Sequence, residues 1–310
     1  MKEVKAFAPA TVANVACGFD ILGFAVDSPG DEIEMKLVDK PGIVIKDITG
    51  DGGRLSRNPR ENTATVSVYQ FLEKIGAEKA GIEVTLHKKM PFGSGLGSSS
   101  ASTVAGAFAV NALFDNPLTS EELLPFAMEG ERVACGAAHA DNVAPALYGG
   151  FVLVRSYDPL DVVRLNVPEE LCCAVVHPHI EVSTKDARNI LRGEIPLVDA
   201  VRQWGNVGGL IAGLEQENYD LIGRSLQDVI VEPIRSMLIP GFDEVKRAAV
   251  YAGSMGTAIS GSGPSVFSLC RGLDKAERIA NAKVEAFKAI GIDSDKFVSK
   301  VNKVGPKIIY

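Results

Sequence analysis

The stretch Pro91-Phe92-Gly93-Ser94-Gly95-Leu96-Gly97-Ser98-Ser99-Ser100-Ala101-Ser102 decides how this chain is read. Before it, Ile82, Val84 and Leu86 alternate with Glu83, Thr85 and His87, the period-two pattern of a half-buried strand. After it, Val104, Ala105, Phe108, Ala109, Ala112 and Leu113 recur at helical spacing, so the run joins a strand to the start of a helix. A helix start leaves its first N–H groups unpaired and carries the positive end of the macrodipole. Glycines let the backbone approach a polyphosphate closely, and serine hydroxyls add donors, one of which can ligate Mg²⁺. The spacing of Gly93, Gly95 and Gly97 is not G-x-G-x-x-G, and no lysine follows as a P-loop requires. Protein-kinase signatures are missing too. The strand-to-helix setting favours a phosphate cradle over a flexible serine-glycine loop.

Outward from this loop, strands are predicted at residues 4–7, 33–38 and 43–48 and a helix at 64–76. Thr119-Ser120-Glu121-Glu122 has the form of a capping box opening a helix toward Cys135, which Pro125 should kink or shift. A strand follows at 151–154. The polar, proline-flanked stretch 158–168 is the expected domain boundary. Beyond it, a strand at 172–176 leads to helices at 196–217, 220–226, 242–252 and 275–290, alternating with strands at 258–260, 265–270 and 297–301. This order predicts an α+β class with two layers rather than a doubly wound parallel sheet.

With 310 residues, 46% of them hydrophobic and 23% charged, the chain has the composition of a globular protein of one large or two ordinary domains. A net charge of −7 disfavours nucleic acid or an anionic membrane as partner, so phosphate affinity must come from local geometry. The five cysteines form no C-x-x-C pair, which suggests a reducing compartment. MKEVKAFAPA carries no signal-peptide apolar core and no apolar run reaches the length of a membrane span, so a cytoplasmic protein is expected.

Other clusters carry chemistry less sharply. Gly253 to Ser265 is glycine-rich and either lines a site or, at Gly261 to Pro264, makes an ordinary hairpin turn. The block His139-Ala140-Asp141-Asn142, about ten residues after Glu131 and just beyond its helix, concentrates polar groups near one helix end. Glu131 can offer a carboxylate oxygen to Mg²⁺, or it and Asp141-Asn142 can serve as a solvated face and a cap. Near the N-terminus, Asn14 and Asp20 interrupt an apolar, small-residue segment in which Asp20 can bind an ammonium group. Between them, Cys17 is a candidate thiol whose alkylation would inhibit, or an inert core thiol. Thr184 with Arg188, and Arg235 after Glu232-Pro233, are anion contacts in principle, though most arginines only face solvent.

Pro91 to Ser102 resembles the nucleotide loop of the GHMP kinases, a superfamily of small-molecule kinases. Ala8-Pro9-Ala10-Thr11 with Asn14 and Gly18-Phe19-Asp20 agrees, as do Glu131, His139 to Asn142, Pro145-Ala146, Gly149-Gly150 and Gly261 to Pro264. The likeness runs the whole chain in order. One departure is Cys17 before Gly18, where the family usually has proline, so the loop shape there is open.

The resemblance implies an N-terminal α+β domain with a left-handed crossover that binds ATP (residues 1–165). It also implies a C-terminal ferredoxin-like domain (166–310), with the site in the cleft between. Carried over by residue, Pro91, Phe92, Gly93, Ser94, Gly95, Leu96, Gly97, Ser98, Ser99, Ser100 and Ala101 would hold ATP, with Asn62 near the adenine. Ser99 and Glu131 would hold Mg²⁺. The substrate-side signatures imply L-homoserine as acceptor: Asp20 on its amino group, Arg188 and Arg235 on its carboxylate and Asn142 on its reacting hydroxyl, with Asn14, His139 and Thr184 beside them. Asn142, Ser99 and Glu131 would form the catalytic set. An amide cannot act as a base, so catalysis by positioning is expected, with Asp141 as a candidate proton acceptor. The implied reaction is ATP-dependent formation of O-phospho-L-homoserine in threonine biosynthesis, and the family analogy allows a homodimer. Two alternatives stay open, another small-molecule kinase of the superfamily and a non-catalytic nucleotide-binding regulator on the same fold.

Overall fold

Val4, Ala6 and Ala8 are buried at alternate positions of β1 (Glu3–Ala13), as expected of a strand with one face on a core, and from Ala8 to Ala13 both faces are buried. A computed structural model describes residues 2–310, apart from the side chains of Ala134 and Cys135. The chain continues through β2 (Leu22–Val38), β3 (Gly42–Thr49), α1 (Thr63–Lys74), β4 (Gly81–His87) and α2 (Ser98–Leu113). Next come α3 (Ser120–Cys135), α4 (Ala140–Tyr148), β5 (Phe151–Tyr157) and β6 (Leu160–Leu165). The second half holds β7 (Leu171–Pro178), α5 (Thr184–Asn189), α6 (Leu197–Glu215), α7 (Tyr219–Ser225), α8 (Glu232–Arg235) and α9 (Phe242–Tyr251). It closes with β8 (Gly256–Ile259), β9 (Val266–Arg271), α10 (Leu273–Ala289), β10 (Ser294–Lys300) and β11 (Lys307–Ile308).

Two sheets result. The first has seven strands in the order β11-β1-β2-β4-β3, with β5 on the free stretch of the long β2 and β6 on β5. Only β3 and β4 run parallel in it, joined by the crossover through α1. The second sheet is antiparallel in the order β10-β7-β9-β8, the 4-1-3-2 order of a ferredoxin-like β-α-β-β-α-β unit, with α9 and α10 packed on it.

Burial in β7 shows how the layers stack. All eight of its residues are buried because it is central and covered on both faces. Cys173 and Val175 enter the larger core shared with the first sheet, while Cys172, Ala174 and Val176 enter a smaller core under α9 and α10. Phe267 of β9 meets Phe24 of β2 edge-on at 6.0 Å, so the halves share one interior.

The structure departs from the sequence reading in places. Residues 158–168 hold a strand that the sequence reading did not give: β6 lies within them, antiparallel to β5, and extends the first sheet to Leu165. The chain end also returns to that sheet, since β11 pairs with β1. The block after α3 is itself helical, as α4. Thr119 does form both halves of the capping box, and Pro125 sits inside α3 without ending it. No helix among the described residues is long and apolar enough to cross a membrane.

Candidate active site

Small and apolar residues surround α2 on all sides, so it is buried along its length against β1, β2, α1, α3 and α4. Its N-terminus is therefore held firmly in the middle of the molecule. Gly97, at the N-cap, is left-handed (φ 65°) and has no side chain with which to satisfy the first N–H groups. A Cβ there would lie 2.2 Å from Thr11 Oγ1 and 2.9 Å from Asn142 Oδ1, so only glycine fits. Gly95 is similarly pressed, its absent Cβ falling 2.3 Å from the Ser260 carbonyl of the β8–β9 turn. The first turn of α2 opens into a cavity of about 420 Å³.

Lys88, at the end of β4, lies beneath this turn. Its ammonium donates to Asp31, to Ser98 O (2.9 Å) and Oγ (2.7 Å) and to Ser102 Oγ (2.9 Å). Burial pushes the Lys88 ammonium down, and the Asp31 carboxylate opposes that. The sequence carried little signal for this cluster, because His87-Lys88-Lys89 at a strand end has the look of a solvated charge run.

From α3, the buried Glu131 faces the same turn. Its Oε2 accepts from Ser99 Oγ (2.9 Å) and Ser100 Oγ (2.8 Å). A carboxylate and a hydroxyl beside a helix start are hard oxygen donors that fit Mg²⁺, which takes few protein ligands and completes its shell with phosphate oxygens and water. No group of three or more His, Cys, Asp or Glu among the described residues is placed to hold a metal by itself.

Across the cavity lies a charged cluster. Arg188 Nη2 donates to both Asp20 oxygens, at 2.8 and 2.9 Å. The two groups expected to hold opposite ends of a zwitterion thus hold each other, because opposite charges on facing segments of a half-shielded cleft attract. Arg235 is buried and donates through Nε to Ala187 O (3.0 Å) and through Nη1 to Gly261 O (3.1 Å). Phe19 receives both guanidiniums, Arg235 at 5.0 Å and Arg188 at 5.3 Å from its ring centre. Burial pushes the Arg235 guanidinium down, with Asp20 opposing.

Asp20 is presented by an unusual turn. Asn14, Val15 and Ala16 have φ of 68°, 40° and 59°, a left-handed run that costs energy at each non-glycine residue. Asn14 holds it: Nδ2 donates to Gly261 O (2.8 Å), and Oδ1 accepts from the Asp20 N–H (3.0 Å). Cys17 is 2% exposed and burial pushes its thiol up to about 12, which removes the expectation of a modifiable thiol.

The N-terminus of α4 completes the wall. His139 is its N-cap and lines the cavity, and Asn142 Oδ1 accepts from Thr11 Oγ1 (2.8 Å). Thr184 Oγ1 lies 3.3 Å from Ser262 Oγ. Asp141 is buried with Oδ1 lacking a hydrogen-bond partner. Burial pushes its carboxyl up to about 7, and the negative charges of Asp20 and Glu131 add to the effect.

One cavity thus gathers Asn14, Asp20, His139, Asn142, Thr184, Arg188 and Arg235 on one side and Phe92, Gly93, Ser94, Gly95, Gly97, Ser98, Ser99 and Glu131 on the other. Pro91, Leu96, Ser100, Ala101 and Asn62 do not line it. Leu96 and Ala101 point into the core, and Ser100 supports Glu131. Asn62 is the N-cap of α1: Oδ1 accepts from Ala64 N (3.0 Å), and Nδ2 donates to Ser56 O (2.8 Å). It braces the loop whose Arg54, Leu55 and Ser56 do line the cavity. Arg54 also pairs with Glu181 (2.8 Å) from the other half and sits 4.5 Å above the Phe92 ring.

Residues 62–150 match the family described as GHMP kinases N terminal domain, and residues 210–289 match GHMP kinases C terminal. The chain belongs to the GHMP kinase family. Within it, the homoserine kinase of Chloroherpeton thalassium is 51% identical, with 100% of both chains covered. That of Arabidopsis thaliana is 41% identical over 99% of this chain and 85% of its own. The crystal structure of homoserine kinase from Cytophaga hutchinsonii is 61% identical and superposes with a TM-score of 0.98, covering 100% of this chain and 98% of that one. The L. major mevalonate kinase (TM-score 0.71, 16% identity, 96% of each chain) shows a likeness of fold alone. The glycine loop of this GHMP kinase lies within the matched residues 62–150.

Proposed function

We propose that this chain transfers the terminal phosphoryl group of ATP to the side-chain hydroxyl of L-homoserine, giving O-phospho-L-homoserine and ADP, a step of threonine biosynthesis in the cytoplasm. The observation that supports it best is that an uncapped helix start and a cluster of one carboxylate and two guanidiniums open into the same cavity. The homoserine kinase relatives, matched over essentially the whole chain, support the same acceptor. A zwitterion entering between Asp20 and Arg188 would exchange one ion pair for two, with Arg235 adding a second cation for the carboxylate.

Phosphoryl transfer needs mainly alignment and charge neutralisation. The backbone N–H groups of residues 97–100 would bind phosphate oxygens, and Ser99 with Glu131 would hold Mg²⁺, whose chemistry when bound is to offset phosphate charge. Thr11 fixes the Asn142 amide through Oδ1, so that Nδ2 can orient the acceptor hydroxyl. The hydroxyl proton leaves late, to a phosphate oxygen or to water. A second reading, with Asp141 as acceptor, rests on its buried, unpartnered Oδ1. By family analogy the enzyme works as a homodimer.

Coupled ADP release with Mg·ATP tests the proposal, using L-homoserine beside L-threonine, L-serine, mevalonate and galactose, with the product identified by mass. Homoserine-dependent release is expected. Turnover of a different acceptor would discard the pocket assignment, and ATP binding without turnover would favour a regulator.

A further inference from the structure

Gln203 touches nothing in the cavity, yet it lies at the crossing of the two segments that form the acceptor pocket. It projects from the inner face of α6 and is 6% exposed. Its Nε2 donates to the carbonyl of Cys17 (2.9 Å) in the turn between Asn14 and Asp20, and to Asp228 Oδ1 (3.0 Å). Its Oε1 accepts from the Val229 N–H (3.0 Å). Both amide hydrogens and the oxygen are thus used, by partners far apart in sequence.

Asp228 in turn builds the approach to α8. Its Oδ1 accepts from Ile230 N (2.9 Å) and Val231 N (3.0 Å), and its Oδ2 accepts from Glu232 N (2.8 Å). Three residues later Arg235 leaves the same short helix and reaches Gly261 O, the oxygen that also accepts from Asn14. Asn14 and Arg235 therefore meet on one carbonyl at the cavity, while Gln203 joins their two parent segments from behind. A four-residue helix and a left-handed turn have little rigidity of their own.

We infer that Gln203 is a positioning residue for the acceptor: its amide sets the spacing between the Asp20-bearing turn and the Arg235-bearing helix. The inference deepens the proposed function and rests on it for its kinetic arm. Glutamine is required by function of its amide, since only that group donates to a carbonyl and a carboxylate while accepting from an N–H.

The test compares Gln203→Ala, Gln203→Glu and, as control, Leu210→Ala, a fully buried position on the same helix that touches neither segment through hydrogen bonds. Losing a network of buried hydrogen bonds should raise KM for L-homoserine about ten-fold or more in both Gln203 variants, leaving KM for ATP within about two-fold. Gln203→Glu keeps the length and packing but sets a carboxylate against Cys17 O and Asp228, so it should be no better than alanine. Leu210→Ala should loosen α6 without moving KM for homoserine. An equal rise in Leu210→Ala, or recovery of wild-type KM by Gln203→Glu, would reduce Gln203 to packing and overturn the inference. Hydrogen exchange supplies a readout independent of activity. Amides of residues 14–22 and 228–235 should exchange faster in Gln203→Ala than in wild type, while those of β1 and α2 stay unchanged. Unchanged exchange in both segments overturns the inference even if the wild type phosphorylates homoserine. Absence of homoserine turnover by the wild type, with the exchange result as expected, would instead overturn the acceptor assignment alone.

Discussion

Asn142 and Asp141 are adjacent on one helical turn and both line the cavity, but Asn142 is hydrogen-bonded while Asp141 Oδ1 has no partner, which makes them separable by mutation. The Asn142 side chain is latched to Thr11 and faces the cavity, so Asn142→Ala should lower kcat about 100-fold or more, the scale of losing one well-aimed donor. ATP affinity should stay within about three-fold, and single-turnover and binding measurements check the split. A large loss confined to Asp141→Asn would shift the role to the carboxylate. Asp141 also makes a prediction about pH. Its folded pKa of about 7 stands above the ordinary 3.8, so the native state keeps a proton that the unfolded chain releases. Stability therefore falls as pH rises from about 4 to about 7, by a total on the order of 4 kcal/mol. Urea midpoints at pH 5 and pH 8 should show Asp141→Asn gaining on the wild type at the higher pH; a constant gap would mean that the carboxyl is not buried as a neutral acid. Arg235→Leu should raise KM for homoserine by more than about 50-fold and spare ATP, as loss of a charge-assisted pair affects one ligand only. It should also lower stability, because the carbonyls of Ala187 and Gly261 lose their donor.

At the scale of elements, the loop–helix junction of α2 and the capping box of α3 give contrasting predictions. Gly97→Ala meets Thr11 and Asn142 at distances no Cβ tolerates and at a left-handed φ, so the loop or the Thr11–Asn142 latch must shift and ATP binding should weaken more than ten-fold by calorimetric titration. Thr119→Ala removes one side of a reciprocal cap on an exposed helix end and should cost about 1 kcal/mol of stability without changing kcat or either KM. The same contrast explains what could be read from the sequence. Strand β4, helix α2 and the Thr119 cap were legible because each repeats a period or a motif over several residues. The long strand β2 was only half visible, because its stretch before residue 33 is broken by Asp27, Ser28 and Pro29. Helices α5 and α8 and strand β11 have 6, 4 and 2 residues, too few to show a period. Strand β6 was hidden because it is nowhere fully buried and so needs no apolar face. Asp20 stood out as a charge in an apolar segment and Arg188 and Arg235 were singled out by resemblance, whereas Lys88, Asp31 and Gln203 act through contacts made only on folding, between segments no local pattern connects.

For the whole molecule, the question is whether two sheets make two folding units. Independent units would each close their own core and meet across a polar seam. Here the larger core runs continuously from Phe24 and Phe71 of the first half to Val175, Leu210 and Phe267 of the second. The chain also crosses back: Asn302 donates to Ala25 O (2.9 Å) and accepts from Gly150 N (2.6 Å), and β11 then adds to β1. Either half unfolding alone would expose apolar surface of the other, at about 25 cal/mol per Å². Calorimetry should therefore show one transition whose van't Hoff and calorimetric enthalpies agree, although chains of this length often show more than one. A nucleotide bound at the α2 start should then stabilise β7 to β10 as much as the first sheet. At 100 times its Kd the shift is about 2.7 kcal/mol, and it should appear equally in hydrogen exchange of slowly exchanging amides in β1 and in β7. Two calorimetric transitions, or protection by nucleotide limited to the first sheet, would show that the shared core does not couple the halves. Coupling of this kind has a catalytic meaning, since the phosphate loop belongs to one half and Arg188 and Arg235 to the other. Their separation is then fixed by the same interior that holds the protein folded.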